Sequence, residues 1–161
     1  AEIAISYISS NWPARLQDFA WWCGLPMGDV SLAYVEIIST LLSETIEEKI
    51  YWWNSSLPDE KPKTTGLYLL PAFDEFMVSY KDRSASLSSE HNKNAITKNG
   101  IFKPIVVVKG KVAGLWKPST QKGKTRVDLA LFDPSSQLNS RQLSIALKRY
   151  AAFLNTVVET V

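Results

Sequence analysis

Apolar positions recur at helical spacing three times within residues 1–41. Ile3, Tyr7 and Ile8 mark a short helix over Ile3–Ser9, ended by Asn11, Trp12 and Pro13. Leu16, Phe19, Ala20 and Cys23 share one face of a second helix, Leu16–Cys23, which Gly24 and Pro26 close. Asp29 is placed to cap a third, in which Val30, Ala33, Tyr34, Ile37, Ile38 and Leu41 return every three to four residues. The period then changes. Leu42–Ile46 and Lys49–Trp53 are rich in β-branched and aromatic side chains and flank Glu47-Glu48, which predicts a hairpin. Three short helices followed by a two-stranded ribbon is the plan of a winged helix, with the second and third helices as its helix-turn-helix.

Residues 57–65 (LPDEKPKTT), with two prolines, read as a linker. Gly66–Leu70 predicts a buried strand that Pro71 closes. Residues 72–81 fit a short helix or an irregular packed segment, and 84–100 a polar surface loop with some helix. Ile105–Val108 and Lys111–Trp116 flank Lys109-Gly110, a hairpin signal. A second hairpin runs from Val112–Lys117 through a loop, Pro118–Lys124, to Thr125–Phe132. Ser136–Val158 predicts an amphipathic helix with Leu143, Ala146, Leu147, Tyr150, Phe153, Leu154 and Val157 on its apolar stripe. Asn139 or Ser140 would cap it, and Lys148 and Arg149 would face solvent. The expected class is therefore α+β. A winged-helix subdomain (1–56) and a linker (57–65) precede an α+β domain (66–161) whose antiparallel sheet is packed by the C-terminal helix.

Charge divides this plan unevenly. Residues 1–60 carry two basic side chains, Arg15 and Lys49, against nine acidic ones; residues 61–161 carry sixteen basic against seven acidic. The formal net charge of +2 conceals an acidic half joined to a basic one, an asymmetry that points to a polyanionic partner. The third helix cannot be the part that meets it. From Met27 to Leu42 there is no Lys, Arg, Asn or Gln to read bases, and Asp29 and Glu36 would repel phosphate. The first unit then serves structure, its third helix packing on protein or facing water. Trp12, Trp21, Trp22, Trp52 and Trp53 are expected mostly in core or inter-domain packing. Between Asn92 and Val127, by contrast, there are nine basic side chains and no acidic one. A β-ribbon bearing Lys109, Lys111, Lys117, Lys122, Lys124 and Arg126, with Trp116 at its base, suits phosphate tracking on double-stranded DNA.

Other chemistries find little support. The lone cysteine, Cys23, excludes an internal disulfide and agrees with a reducing, cytoplasmic setting. His91 has no second His, Cys or carboxylate at metal-ligand spacing and is expected exposed, so neither a metal nor a cofactor is predicted. No apolar run approaches the roughly 20 residues of a membrane span. Asp74, Glu75 and Asp82 form a dense acidic group, but local pairing with Lys81 or Arg83 explains it better than acid–base catalysis.

Two stretches, NWPARLQDFAWWCGLP and LLPAFDEFMVSYKDRS followed by NGIFKPIVVVKGKVAGLWK, resemble the bacterial AlkZ-like family of winged-helix proteins. That resemblance covers nearly the whole chain and implies the C-terminal half of a longer protein. Characterised members of that family, built from tandem winged helices, are DNA glycosylases that excise bulky or crosslinked alkylated bases. The N-terminal domains of the same polypeptide would then be partners. The family's catalytic signature is Gln-x-Gln or Gln-x-Asp. Gln17, Gln121, Gln137 and Gln142 all lack it, so no catalytic residue is assigned to this chain. The family's Thr before the second helix is Arg15 here, which removes a capping hydroxyl. The rival expectation is a non-catalytic scaffold or a module resembling a transcription regulator.

Overall fold

The computed structural model describes residues 1–56, 66–121 and 124–160, and the expected linker 57–65 lies outside them. The chain clusters into two units, Ala1–Lys61 with Glu75–Asp82, and Pro62–Asp74 with Arg83–Val161. Glu75–Asp82, assigned from sequence to the second domain, thus groups with the first unit. No helix among the described residues is long and apolar enough to cross a membrane.

In the first unit, α1 (Glu2–Ser10), α2 (Leu16–Cys23) and α3 (Met27–Ile37) precede a hairpin of β1 (Leu41–Ile46) and β2 (Lys49–Asn54). Gly24 ends α2 in the left-handed conformation, φ 71°. Helix α3 starts earlier than expected. Pro26 is its N-cap, and Asp29 sits in the first turn, where its charge meets the helix dipole instead of capping. Tyr7, Ile8, Phe19, Val30, Tyr34 and Ile37 form the buried core. Burying a side chain such as Phe19 contributes roughly 2–3 kcal/mol. The tryptophans join that core only at its margin. Trp12, Trp21 and Trp22 are exposed, although the Trp22 ring lies 5.2 Å from Tyr7 and 6.3 Å from Phe19, and Trp52 packs edge-on to Tyr34 at 6.3 Å. A core built from a few short helices has little room for indoles, whose N–H must also find an acceptor. Trp21 finds one in the Val78 carbonyl, 3.1 Å away.

One carboxylate organises this unit. Asp18, on α2, is only 2% exposed. Its Oδ2 accepts from the Arg15 backbone N–H (3.1 Å) and guanidinium Nε (3.3 Å), so the arginine that replaces a capping hydroxyl brings a cation instead. Its Oδ1 accepts from the backbone N–H groups of Lys81 (3.0 Å) and Asp82 (3.3 Å). Around that anchor, Tyr7 donates to the Ser79 carbonyl (2.6 Å) and Tyr80 to the Asn11 carbonyl (3.1 Å). Asp82 completes the clasp with Lys49 (2.8 Å) and Arg15 (3.5 Å). A charged acceptor meeting several N–H donors is the arrangement in which a buried carboxylate is stable. Burial works to lower the Arg15 guanidinium pKa, but the hydrogen bond and charge of Asp18, with the charge of Asp82, hold it above its ordinary value.

The second unit is a five-stranded sheet in the order β3-β4-β5-β6-β7. Strands β3 (Leu67–Leu70), β4 (Ile105–Val108), β5 (Lys111–Gln121) and β6 (Lys124–Leu131) are antiparallel. Helix α6 (Ser140–Leu154) packs Ala146, Leu143, Leu147 and Tyr150 on Leu67, Val106, Trp116 and Val127. The α+β class is as expected. Short helices α4 (Glu75–Val78, in the first unit) and α5 (Asn92–Ala95) interrupt the loops. Asn139 caps α6 by accepting from the Gln142 N–H at 3.0 Å.

Two departures occur here. The C-terminal helix ends at Leu154, where Asn155 turns left-handed at φ 50°, and Val158–Thr160 forms β7, parallel to β6. Consequently Phe153 is 83% exposed and Val157 is also outside, so the predicted stripe buries only its N-terminal part. The second departure is in the ribbon. Pro118–Gln121, read as loop, continues β5, with Pro118 opposite Val127. Pairing with β4 stops at Leu115, so past that point β5 has no described strand on its outer side and can hold a proline. Close backbone approach is needed at Gly114, where a Cβ would lie 2.4 Å from the Ala130 carbonyl oxygen.

Replacing the buried carboxylate while keeping its shape, Asp18→Asn, is expected to lower the unfolding free energy by roughly 3 kcal/mol in urea titrations, because it takes the buried anion from its N–H donors and leaves Arg15 with Asp82 alone. Asp82→Ala, at a partly exposed pair, should cost only about 1 kcal/mol. Alkaline pH should act in the same region. Burial, aided by the Asp18 charge, pushes the Tyr80 phenol up to about 12 and raises Tyr7 and Tyr34 as well. An unfolded tyrosine ionises near about 10. The stability that Tyr80 contributes is therefore whole below that pH and is lost as pH rises through about 12. Circular-dichroism melts from pH 9 to pH 12, compared with Tyr80→Phe, will show a shallower decline in the variant.

Candidate nucleic-acid interface

The six basic residues expected to meet DNA do not form one patch. Lys117, Lys124 and Arg126 lie on one face of the β5–β6 ribbon, since Lys117 pairs with Asp128 and Ser119 with Arg126 in register, and alternate residues share a face. That face is opposite the one carrying Trp116, Val127 and Leu129, which packs on α6. Lys109 and Lys111 flank the β4–β5 turn at the other end of β5, an 11-residue strand of roughly 35 Å. The Lys111 ammonium donates to the Ala85 carbonyl there. Lys122 lies outside the described residues.

Local structure explains the ribbon face. Beyond Leu115 neither helix α6 nor β4 demands apolar residues on both sides, so polar and charged side chains alternate with Val127 and Leu129. Lys117 is exposed, its Nζ 4.0 Å from an Asp128 oxygen, a screened contact of little energetic weight. Arg126 is half-buried and lies in register with Ser119 on one side and Glu159 on the other. Such a face can hold a row of phosphates.

Among the acidic candidates, Asp82 is paired with Arg15 and Lys49, and Glu75 accepts from the Ser79 hydroxyl. His91 is not solvated as expected. Its ring stacks on Phe132 at 4.3 Å, with Nε2 3.5 Å from Glu90. Among the described residues no three His, Cys, Asp or Glu side chains are grouped to hold a metal ion. A cavity of about 320 Å³ in the second unit lies between β3 and α6, walled by Leu67, Leu69, Pro71, Trp116, Tyr150 and Phe153. Trp116 is fixed there by a 2.8 Å hydrogen bond to the Leu70 carbonyl and by edge-on contact with Tyr150. The only polar side chains on its wall are those of Tyr68, Tyr150, Arg149 and the Trp116 indole, so it has no carboxylate to activate water. Arg149, expected in solvent, sits over the Tyr68 ring at 5.8 Å. Sequence reading missed Asp18. An isolated Asp inside an apolar helix face was the available signal.

The model of the AlkZ-like DNA glycosylase family matches residues 1–153. The chain belongs to that family. Its fold is similar to that of the Streptomyces sahachiroi DNA glycosylase AlkZ, with a TM-score of 0.82 at 19% identity over 99% of this chain and 45% of that one. The chain thus spans less than half the length of AlkZ. No curated protein matches it. The two stretches that resemble the AlkZ-like family meet within the first unit: Asp18 of DFAWW holds the backbone of Lys81 and Asp82 in YKDRS. In this AlkZ-like chain those residues tie the framework of the first unit together.

Proposed function

We propose that this chain is the DNA-engaging, non-catalytic C-terminal portion of a longer winged-helix DNA glycosylase, and that the β5–β6 ribbon tracks phosphates of the duplex. The observation that carries the reading is the gathering of Lys117, Lys124 and Arg126 on the one ribbon face that no helix covers. Family membership and the likeness to AlkZ support base excision as the business of the longer protein. Removal of bulky or crosslinked alkylated bases would need the Gln-x-Gln of its other domains, which would be the partners of this chain. None of the four glutamines here has it. The winged-helix assignment rests on the order of three helices and a hairpin in the first unit.

A second reading, a protein-binding scaffold, draws on α3. Its outer face carries Leu32 and Val35, 69% and 70% exposed, where a DNA-reading helix would carry polar side chains. The two readings assign different surfaces.

Fluorescence anisotropy with a short duplex tests the first. Binding should weaken steeply with salt, by about 0.9 in log–log slope for each phosphate contact. Lys117→Glu with Arg126→Glu should reduce affinity at least tenfold at low salt. Lys109→Glu with Lys111→Glu, at the far end of β5, should change it less than about threefold. Equal losses from both pairs would show general electrostatics and remove the ribbon assignment.

A further inference from the structure

Five residues other than glycine have a positive φ among those described. Glu47, Glu48 and Lys109 form hairpin turns and Asn155 ends α6. Phe73, at φ 57°, lies in the short turn 72–73 between β3 and α4, a place that glycine fills without strain. A bulky residue in this region is an outlier that its surroundings must enforce, and such strain collects at working surfaces. Nor is Phe73 there to fill a core, since it is 56% exposed. Its ring leans on Phe102, centroids 5.9 Å apart, and the Arg83 guanidinium lies 5.0 Å over the Phe102 ring. Ile101 beside it is also exposed.

Position gives this group a purpose. Leu70, Ile105 and Leu115 lie in one row across the sheet. The segments just past that row, 71–73 from β3 and 101–104 before β4, lie at the end from which the ribbon continues. The 3.2 Å hydrogen bond from the Trp116 N–H to the Pro104 carbonyl marks the junction. An exposed phenylalanine, the half-buried Phe102 and a guanidinium therefore stand at the end of the sheet from which the cationic ribbon continues. Cations that hold a backbone and an aromatic face that accepts a base are the two parts of a site for unstacked nucleic acid.

We infer that Phe73, braced by Phe102 and Arg83, is a stacking residue that engages a base displaced from a locally opened duplex. This rests on the ribbon reading of DNA contact but assigns a separate task, discrimination between intact and disrupted duplex. A wedge held in a strained conformation has a distinctive signature. Phe73→Gly should relieve the backbone and remove the ring, raising the thermal midpoint by roughly 3 °C while losing the discrimination.

The test compares two fluorescent duplexes of one sequence, one fully paired and one with 2-aminopurine opposite an abasic site. The unaltered chain should bind the disrupted duplex about tenfold tighter and quench the 2-aminopurine. Phe73→Gly should bind both duplexes alike, with affinity for the paired one within twofold of the unaltered chain. Phe73→Trp should retain the preference. Salt-sensitive binding without preference for the disrupted duplex would overturn this inference and leave the ribbon reading intact, as would a preference that survives in Phe73→Gly. Failure to bind either duplex would overturn both.

Discussion

The first unit depends on a single buried anion. Three helices as short as α1, α2 and α3 have little stability alone, and their shared core is modest. Asp18 converts that core into an anchored structure by holding a segment more than sixty residues away in sequence through its backbone. Because the donors are main-chain N–H groups, the identities of Lys81 and Asp82 matter less to the anchor than their conformation. Tyr7, Trp21 and Tyr80 then bond to carbonyls, so these ties between Glu75–Asp82 and the first helices, like that of Asp18, use backbone on one side. Charge at the centre sets the conformation, and aromatic side chains around it exclude water.

The second unit solves a different problem. Its sheet is buried on both faces at β4, where Ile105, Val106 and Val107 are all inside, and becomes one-sided where β5 and β6 run on past it. Trp116 sits at that transition, its indole bonded to β3 and its ring against α6. Firm packing on one side and cations on the other make the ribbon a supported surface rather than a loose loop. The basic charge of the second half thus acquires a direction that its composition alone does not have.

Where one physical pattern dominated, sequence reading and structure agree. The bounds of α2, both hairpins and the α+β class follow from periodicity and turn residues. The misreadings share a cause in neighbours that are distant in sequence. Pro118 looks like a breaker, yet it sits on an edge that no local pattern reveals. The stripe of α6 extends to Val157 by spacing, but β7 takes the chain after Asn155 and leaves Phe153 outside. Within the acidic group at residues 74–82, Asp82 pairs with Arg15 and Lys49, partners that local spacing does not reveal. Lys109 and Lys111 share a charge sign with Lys117 and Arg126 but not a place, because a strand carries charge away at over 3 Å per residue.

Because Glu75–Asp82 belongs to the helical unit while residues on either side of it belong to the sheet, the chain changes units three times. Domains usually fold in turn as they leave the ribosome, the N-terminal one first. Here that order is blocked. Asp18 is synthesised early, next to Arg15, but its donors at Lys81 and Asp82 emerge only after β3 has followed, so a growing chain exposes a half-satisfied carboxylate and unfilled aromatic faces until residue 82 is free. The nascent protein therefore passes through an interval in which its first unit is made but cannot close, and in which a chaperone that holds apolar segments has the most to bind.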